Sequence, residues 1–486
     1  MSIKTQFETS YHGKFGALTM ASRMTGTNSG VANLKDGIIH LNMTVLSALL
    51  QLFVAAYIPL AAATVALPST DPFYTPPNNL TSYGPGDVIR SRNIPPNLNG
   101  ILGTTLTPLY VKTAYQYLYR TTNDAGDAAA AVATLLVPNK ADPSKLLAYQ
   151  TAYDSANNDC SPSYALQAGA NTTATSDIAF IAASLENGWY VTTSDYEGLN
   201  AAYTAGLGSG YATLDSVRAT FKQASVSGLS PSARYVLWGY SGGSLASEWA
   251  AELQPSYAPE LNFAGVALGG LIPNVQNVLT TINQGPFAGL AFSGIFGLSK
   301  ASPELMTFLQ QQLIPSKSAE FHQIANGCLS QAASAGFFNN VYSYFVDGKN
   351  TFNQPVPQRV LAATGVMGTH GTPKSPLFVY KAVADEVSPS ADTDALVAKL
   401  CGQGAVIEYH KDVLGEHVSE AITGSASALA WVSDRLSGKP LTHTTCVTQF
   451  VALTSISLDT VEELGSDVVG LLKTILGGGL GPAISG

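Results

Sequence analysis

The sequence predicts an α/β fold built on a mostly parallel sheet, and three observations carry that expectation. Short apolar runs at 129–138, 146–151, 189–193, 234–239, 377–382 and 406–410 alternate with helical patterns at 242–253, 393–400 and 418–436. The runs are apolar throughout rather than at every second position, as strands covered on both faces are. Only 12% of the 486 residues are charged while 46% are hydrophobic. That balance suits a compact chain with a large core and leaves too little charge for a disordered or coiled-coil protein.

Taken in order, the first element is a leader. Residues 1–42 form a polar extension with Lys4, Lys14, Arg23 and Lys35 against Glu8 and Asp36. Met43 then opens an uncharged apolar run that ends in Ala61-Ala62-Ala63 and Thr64-Val65-Ala66, both suited to a signal peptidase. We expect a signal peptide at 43–66 and a secreted, extracellular product, with translation starting at Met43 and 1–42 an artefact of the gene model. A bilayer anchor is the competing reading, because about 20 apolar residues can span a membrane. Gln51 and Pro59 inside the run favour cleavage.

The 24 basic and 33 acidic residues give a net charge of −9. Without residues 1–66, which hold four basic and two acidic residues, 20 basic against 31 acidic remain, a net of −11. A basic footprint for nucleic acid is missing. The four cysteines, Cys160, Cys328, Cys401 and Cys446, show no zinc-type spacing. Behind an export signal they read as two disulfides. Three pairings are open; 160–328 with 401–446 is preferred, the second tying down the C-terminal tail. Sequons at Asn79 and Asn171 are open to glycosylation.

The α/β pattern is expected in two parts, 67–270 and 366–440, with 271–365 inserted between them as a cap or lid. From Leu271 to Pro315 the only charges are Lys300 and Glu304, and 285–299 is apolar and glycine-rich. An inner face of that kind would shape a substrate pocket, although an ordinary core helix has the same composition. In the tail, 441–486, Val461, Leu464, Val468, Leu471, Leu472 and Ile475 repeat at helical spacing. A lipid-anchor signal is a weaker reading there, since Lys473 interrupts the apolar run.

The chemistry lies in Gly239-Tyr240-Ser241-Gly242-Gly243. G-x-S-x-G alone is weak, but here it follows the run at 234–239 and opens the helix at 242–253, the strand–turn–helix that a nucleophile elbow needs. A tight turn demands small residues two places either side of the serine, and Gly239 and Gly243 supply them. The helix N-terminus makes the Gly242 N–H an oxyanion donor. A serine hydroxyl needs a base, and the base an acid to orient it, in the chain order Ser, Asp or Glu, His. Asp385 sits in the loop after the run at 377–382, with Glu386 its nearest rival; Asp392 and Asp394 read as caps of the next helix. Of the histidines that follow, His410 ends a strand and His443 lies in a polar segment. His417, in a loop leading into a helix, takes the role of base. The backbone of Asp154, after the strand at 146–151, is the second oxyanion donor, although its side chain would equally serve an Asx-turn.

At these residues a resemblance emerges. The stretches YQTAYDSANNDCSPSYAL, GWYVTTSDYEGLNAAYTAG, GYSGGSLASEWAAELQPSYAPELNFAGVALGG and ADEVSPSADTDALVAKLC resemble the fungal secretory lipases, the family of Candida antarctica lipase A, over about 75–465. The resemblance implies an α/β-hydrolase core with a mostly parallel sheet, a helical cap inserted after the nucleophile, and a C-terminal flap. It carries the triad onto Ser241, Asp385 and His417 and the oxyanion donors onto Asp154 and Gly242. It further implies secretion, disulfides, no metal or other cofactor, and hydrolysis of acylglycerols.

The expected activity is therefore a triacylglycerol lipase, working as a monomer on a lipid or small-ester substrate at a transient oil–water interface. A carboxylesterase or deacetylase acting on soluble esters, such as acetylated secondary metabolites, uses the same triad. A serine peptidase would need anchors for peptide termini, and no cluster of that kind is evident. A degenerate hydrolase serving as a binding module is argued against by the intact elbow, acid and base.

Overall fold

The structure, a computed structural model, describes residues 65–99, 109–170 and 177–452. The polar extension, most of the leader expected at 43–66, the sequon at Asn171 and the tail helix from 461 lie outside the described residues.

Ten strands form one sheet: β1 (Val88–Ile94), β2 (Thr113–Thr122), β3 (Ala128–Val137), β4 (Asp142–Gln150), β5 (Trp189–Ser194), β6 (Arg234–Tyr240), β7 (Gly265–Gly269), β8 (Leu377–Ala382), β9 (Ile407–Asp412) and β10 (Val447–Val451). Their spatial order is β1-β2-β3-β5-β4-β6-β7-β8-β9-β10. The pairs from β1 to β5 are antiparallel. From β5 through β10 every pair is parallel.

Six of these strands coincide with the apolar runs of the sequence. The four others have physical reasons for being hard to read. β1 lies in a proline-rich stretch, and β2 (TAYQYLYRTT) alternates Tyr115, Tyr117 and Tyr119 with Gln116 and Leu118 and so is not a continuous apolar run. β7 is five residues framed by glycine, and β10 (VTQFV) is mostly exposed at the sheet edge.

Helices cover both faces, as a parallel sheet requires. On one side α1 (Ile178–Glu186) and α12 (Ser425–Leu436) pack against Tyr149, Val236, Trp238 and Tyr380. On the other, α2 (Gly206–Lys222), α3 (Gly242–Tyr257) and α10 (Ser390–Gly402) cover Leu146, Tyr235, Leu237 and Val379. Alternate residues of β6 thus serve opposite cores, which explains its continuous apolar run. The helix expected at 418–436 is two helices, α11 (His417–Thr423) and α12, parted at Gly424. A Cβ there would come within 2.5 Å of the Glu420 carboxylate and the Tyr380 ring.

Between β7 and β8 the chain runs through α4 (Val275–Ile282), α5 (Ala288–Ala301), α6 (Pro303–Gln312), α7 (Ser318–Ala325), α8 (Leu329–Ala335) and α9 (Pro355–Thr364). They enclose a core of their own around Phe292, Phe321, Tyr344 and Phe352. Two disulfides fix the assembly: Cys160–Cys328 joins the loop after β4 to the start of α8, and Cys401–Cys446 joins α10 to the approach to β10.

Candidate active site

The site forms where β6, β8 and β9 end. Ser241 follows β6 as the N-cap of α3, with φ 53° and ψ −121°, a strained positive-φ conformation that places its side chain at the tip of the turn. The elbow closes because its flanks lack side chains. A Cβ on Gly239 would lie 2.2 Å from the Gly243 backbone, and one on Gly243 would lie 1.9 Å from the Gln150 carbonyl. The turn is held by the Ser241 N–H, which donates to the Gly269 carbonyl at 2.9 Å.

His417 Nε2 lies 2.9 Å from Ser241 Oγ, and its Nδ1 lies 2.7 Å from Asp385 Oδ2. With Nδ1 donating to the carboxylate, Nε2 is left to accept from the serine hydroxyl. Asp385 is itself pinned: its Oδ1 accepts from the N–H groups of Val387 at 2.9 Å and Ser388 at 2.7 Å. Burial works to raise the Asp385 pKa, but the hydrogen bond and charge of His417, followed by Lys381, hold the carboxyl far below the usual range. His417 is gripped at its backbone as well. Its N–H donates to Glu386 Oε2 at 2.6 Å and its carbonyl accepts from Tyr240 Oη at 2.6 Å.

Glu386, the sequence rival of Asp385, thus holds the backbone of His417 and not its ring. His410 pairs with Glu408 on β9, away from the serine. Asp392 and Asp394, read as helix caps, bond elsewhere: Asp392 accepts from Asn277 of α4, and Asp394 from Tyr409 and Lys411.

Asp154 has φ 41° and is buried beside the elbow; a Cβ on Gly242 would touch its Oδ1. That oxygen has no hydrogen-bond partner among the described residues. Burial, with the Asp177 charge second, pushes the Asp154 carboxyl up to about 7. Gly242 is the first residue of α3, so its N–H stands outside the intrahelical ladder and is free for an anion.

Lys381 carried no signal in the sequence, where it is one lysine in the apolar run at 377–382. In the structure it is fully buried, with Nζ 2.8 Å from Asp385 Oδ2. Asn79, the described sequon, is exposed on a short turn.

A cavity of about 490 Å³ opens beside Ser241 and His417. Its walls are mainly apolar, with Leu245, Ile272, Val275, Ile282, Phe287 and Leu290 prominent. A smaller cavity of about 60 Å³ shares Tyr203, Val278 and Leu290 with it and reaches Leu309, Phe352 and Leu361 among α4, α5, α6 and α9. No group of three or more His, Cys, Asp or Glu among the described residues is placed to hold a metal.

The parallel sheet, helices on both faces and a glycine-flanked serine at a strand–helix turn define an α/β-hydrolase. The chain belongs to the secretory lipase family, whose model matches residues 165–444, and it is a carboxylic ester hydrolase. It is 38% identical to "Lipase A" of Arthroderma benhamiae over 88% of this chain and 92% of that one. It is 37% identical to the trichothecene C-3 esterase of Fusarium sporotrichioides over 76% and 84% of the two chains. The X-ray structure of Candida antarctica lipase A superposes with a TM-score of 0.75 at 32% identity, covering 85% of this chain and 96% of that one.

Proposed function

We propose that the protein is a secreted triacylglycerol lipase that works through an acyl-enzyme on Ser241. The observation that carries this reading is the apolar cavity that begins at Ser241 and continues between the helices inserted after β7. A soluble acetyl ester needs no such space, whereas a fatty acyl chain does.

In the proposed reaction His417 Nε2 takes the Ser241 proton as Oγ attacks the ester carbonyl, with Asp385 fixing the ring and stabilising the imidazolium. The N–H groups of Gly242 and Asp154 receive the oxyanion. The imidazolium returns its proton to the leaving alcohol, and water repeats the sequence in reverse to free the acid. The helices α4–α9 act as the cap that accepts the acyl chain. Exposed Val383, Val413, Leu414 and Val418 surround the His417 loop, and Val418 also lines the cavity. An apolar rim of that kind fits transient contact with an oil–water interface. Export through the leader at 43–66, glycan at Asn79 and a monomeric state complete the proposal.

A second reading, a carboxylesterase acting on soluble esters, is favoured by the 37% identity to the trichothecene esterase. Hydrolysis of p-nitrophenyl esters from acetate to palmitate, with Ser241→Ala as control, separates the two. The lipase reading expects a maximum at eight carbons or more, abolished in the variant. A maximum at acetate that falls steeply with length selects the esterase, and turnover that survives Ser241→Ala contradicts both.

A further inference from the structure

Lys381 is the only charged residue of β8 and lies at zero exposure. A lysine that serves packing lays its methylene stem along an apolar wall and carries the ammonium out to water. This one points inward. Its Nζ reaches Asp385 Oδ2 at 2.8 Å and donates to the Leu271 carbonyl at 3.0 Å. The same carbonyl accepts from Ser388 Oγ at 2.9 Å, and the Ser388 N–H returns to Asp385 Oδ1 at 2.7 Å. Lysine, aspartate, serine and carbonyl therefore close a ring. It ties β8, the loop after it and the exit of β7 to one carboxylate. Burial lowers the Lys381 pKa and Asp385 raises it, the opposition expected of a desolvated ion pair.

The oxygen that Lys381 touches is the one that faces His417. Among the described residues, the other groups coupled to it are phenols and a carboxyl. Tyr240 of β6, Tyr409 of β9 and Glu420 of α11 are acted on by Asp385. Asp392 of α10 and Glu386 act on Lys381, and Asp412 adjoins Glu420. A carboxylate facing only such neighbours would favour a protonated, idle imidazolium. We infer that Lys381 is a positioning residue for the ester hydrolysis: it locks the Asp385 carboxylate against His417 and offsets part of its charge, which widens the acid side of the working pH range. The inference rests on the Ser241–His417–Asp385 reading proposed above.

The test is the pH profile of kcat/KM for p-nitrophenyl butyrate, measured on the secreted full-length chain. Lys381→Met keeps the stem and removes charge and donors; Lys381→Gln removes the charge alone. Both variants move the acid limb up by about one pH unit, the scale of losing a like charge beside the imidazolium. The plateau kcat falls about tenfold in Lys381→Met and less in Lys381→Gln, with KM nearly unchanged in both. Acid limbs at the wild-type position overturn the inference. If neither single variant folds, Lys381→Met combined with Asp385→Asn decides the matter. Recovery of folded protein shows that the lysine balances the carboxylate, and continued misfolding marks it as a packing group and overturns the inference. Ser241→Ala stands beside these. A dead Ser241→Ala with an unmoved limb in Lys381→Met rejects the inference alone, whereas an active Ser241→Ala rejects the underlying reading and the inference with it.

Discussion

The carboxylate of Asp385 organises the site, because its four hydrogen bonds leave His417 a single orientation toward the serine. Asp385→Asn preserves the shape but supplies a donor where the ring needs an acceptor, and the wrong tautomer follows. We expect kcat to fall on the order of 10⁴-fold, with KM little changed; steady-state kinetics on a soluble ester checks this, and a loss below tenfold would count against the assigned acid. Ser241, Asp385 and His417 were legible in the sequence because their chemistry fixes both residue type and chain order. Lys381 was not, since nothing in LFVYKA distinguishes a lysine that snorkels from one that turns inward. The unpartnered Asp154 Oδ1 was equally invisible, because it depends on how closely two loops approach.

Among the elements, the end of β9 and α11 bring an acid pair together beneath the His417 loop. A Cβ on Gly415 would lie 2.7 Å from Asp412 Oδ2 and 3.1 Å from Glu420 Oε2, so the two carboxyl groups meet there. Burial first, then the hydrogen bond and charge of Asp412, push Glu420 up to about 9. The folded state therefore binds a proton more tightly than the unfolded chain. The resulting stability is present in full below the ordinary glutamate range and is lost as pH rises from about 4.5 toward 9. Glu420→Gln removes this titration. Its melting temperature, relative to wild type, should be higher at pH 8 than at pH 5; calorimetry at both values checks this, and the opposite trend contradicts it. The junction of the two cavities makes a second claim at this scale. Leu290→Trp should cut palmitate ester turnover about tenfold or more while sparing acetate, and an equal loss on both would point to general damage instead. The sequence showed the strands buried on both faces because their runs are continuous. It did not show β1, β7 or β10, which are short, exposed or set in proline-rich chain, nor β2, whose alternating tyrosines are not a continuous apolar run.

For the whole molecule, two covalent links cross long stretches of chain, one from the loop after β4 to α8 of the inserted helices and one from α10 to the approach to β10. Cys160–Cys328 spans 168 residues and Cys401–Cys446 spans 45. By loop-closure entropy these restrict the unfolded chain by roughly 5 and 4 kcal/mol. Reduction under native conditions should lower the melting temperature by several degrees or more, and paired Cys160→Ala with Cys328→Ala should weaken the molecule more than the C-terminal pair. Equal losses would show that strain or residual structure, not loop length, sets the effect.

The central claim is that Ser241 is the nucleophile at the mouth of an acyl-binding cavity. Its most direct measurement is covalent trapping by p-nitrophenyl alkylphosphonates of increasing chain length, with the adduct located by peptide mass spectrometry. The account predicts one adduct per chain, on the peptide containing Ser241, forming faster as the alkyl chain grows from two to eight carbons. An adduct on another residue, no adduct, or a rate that falls with chain length would contradict it.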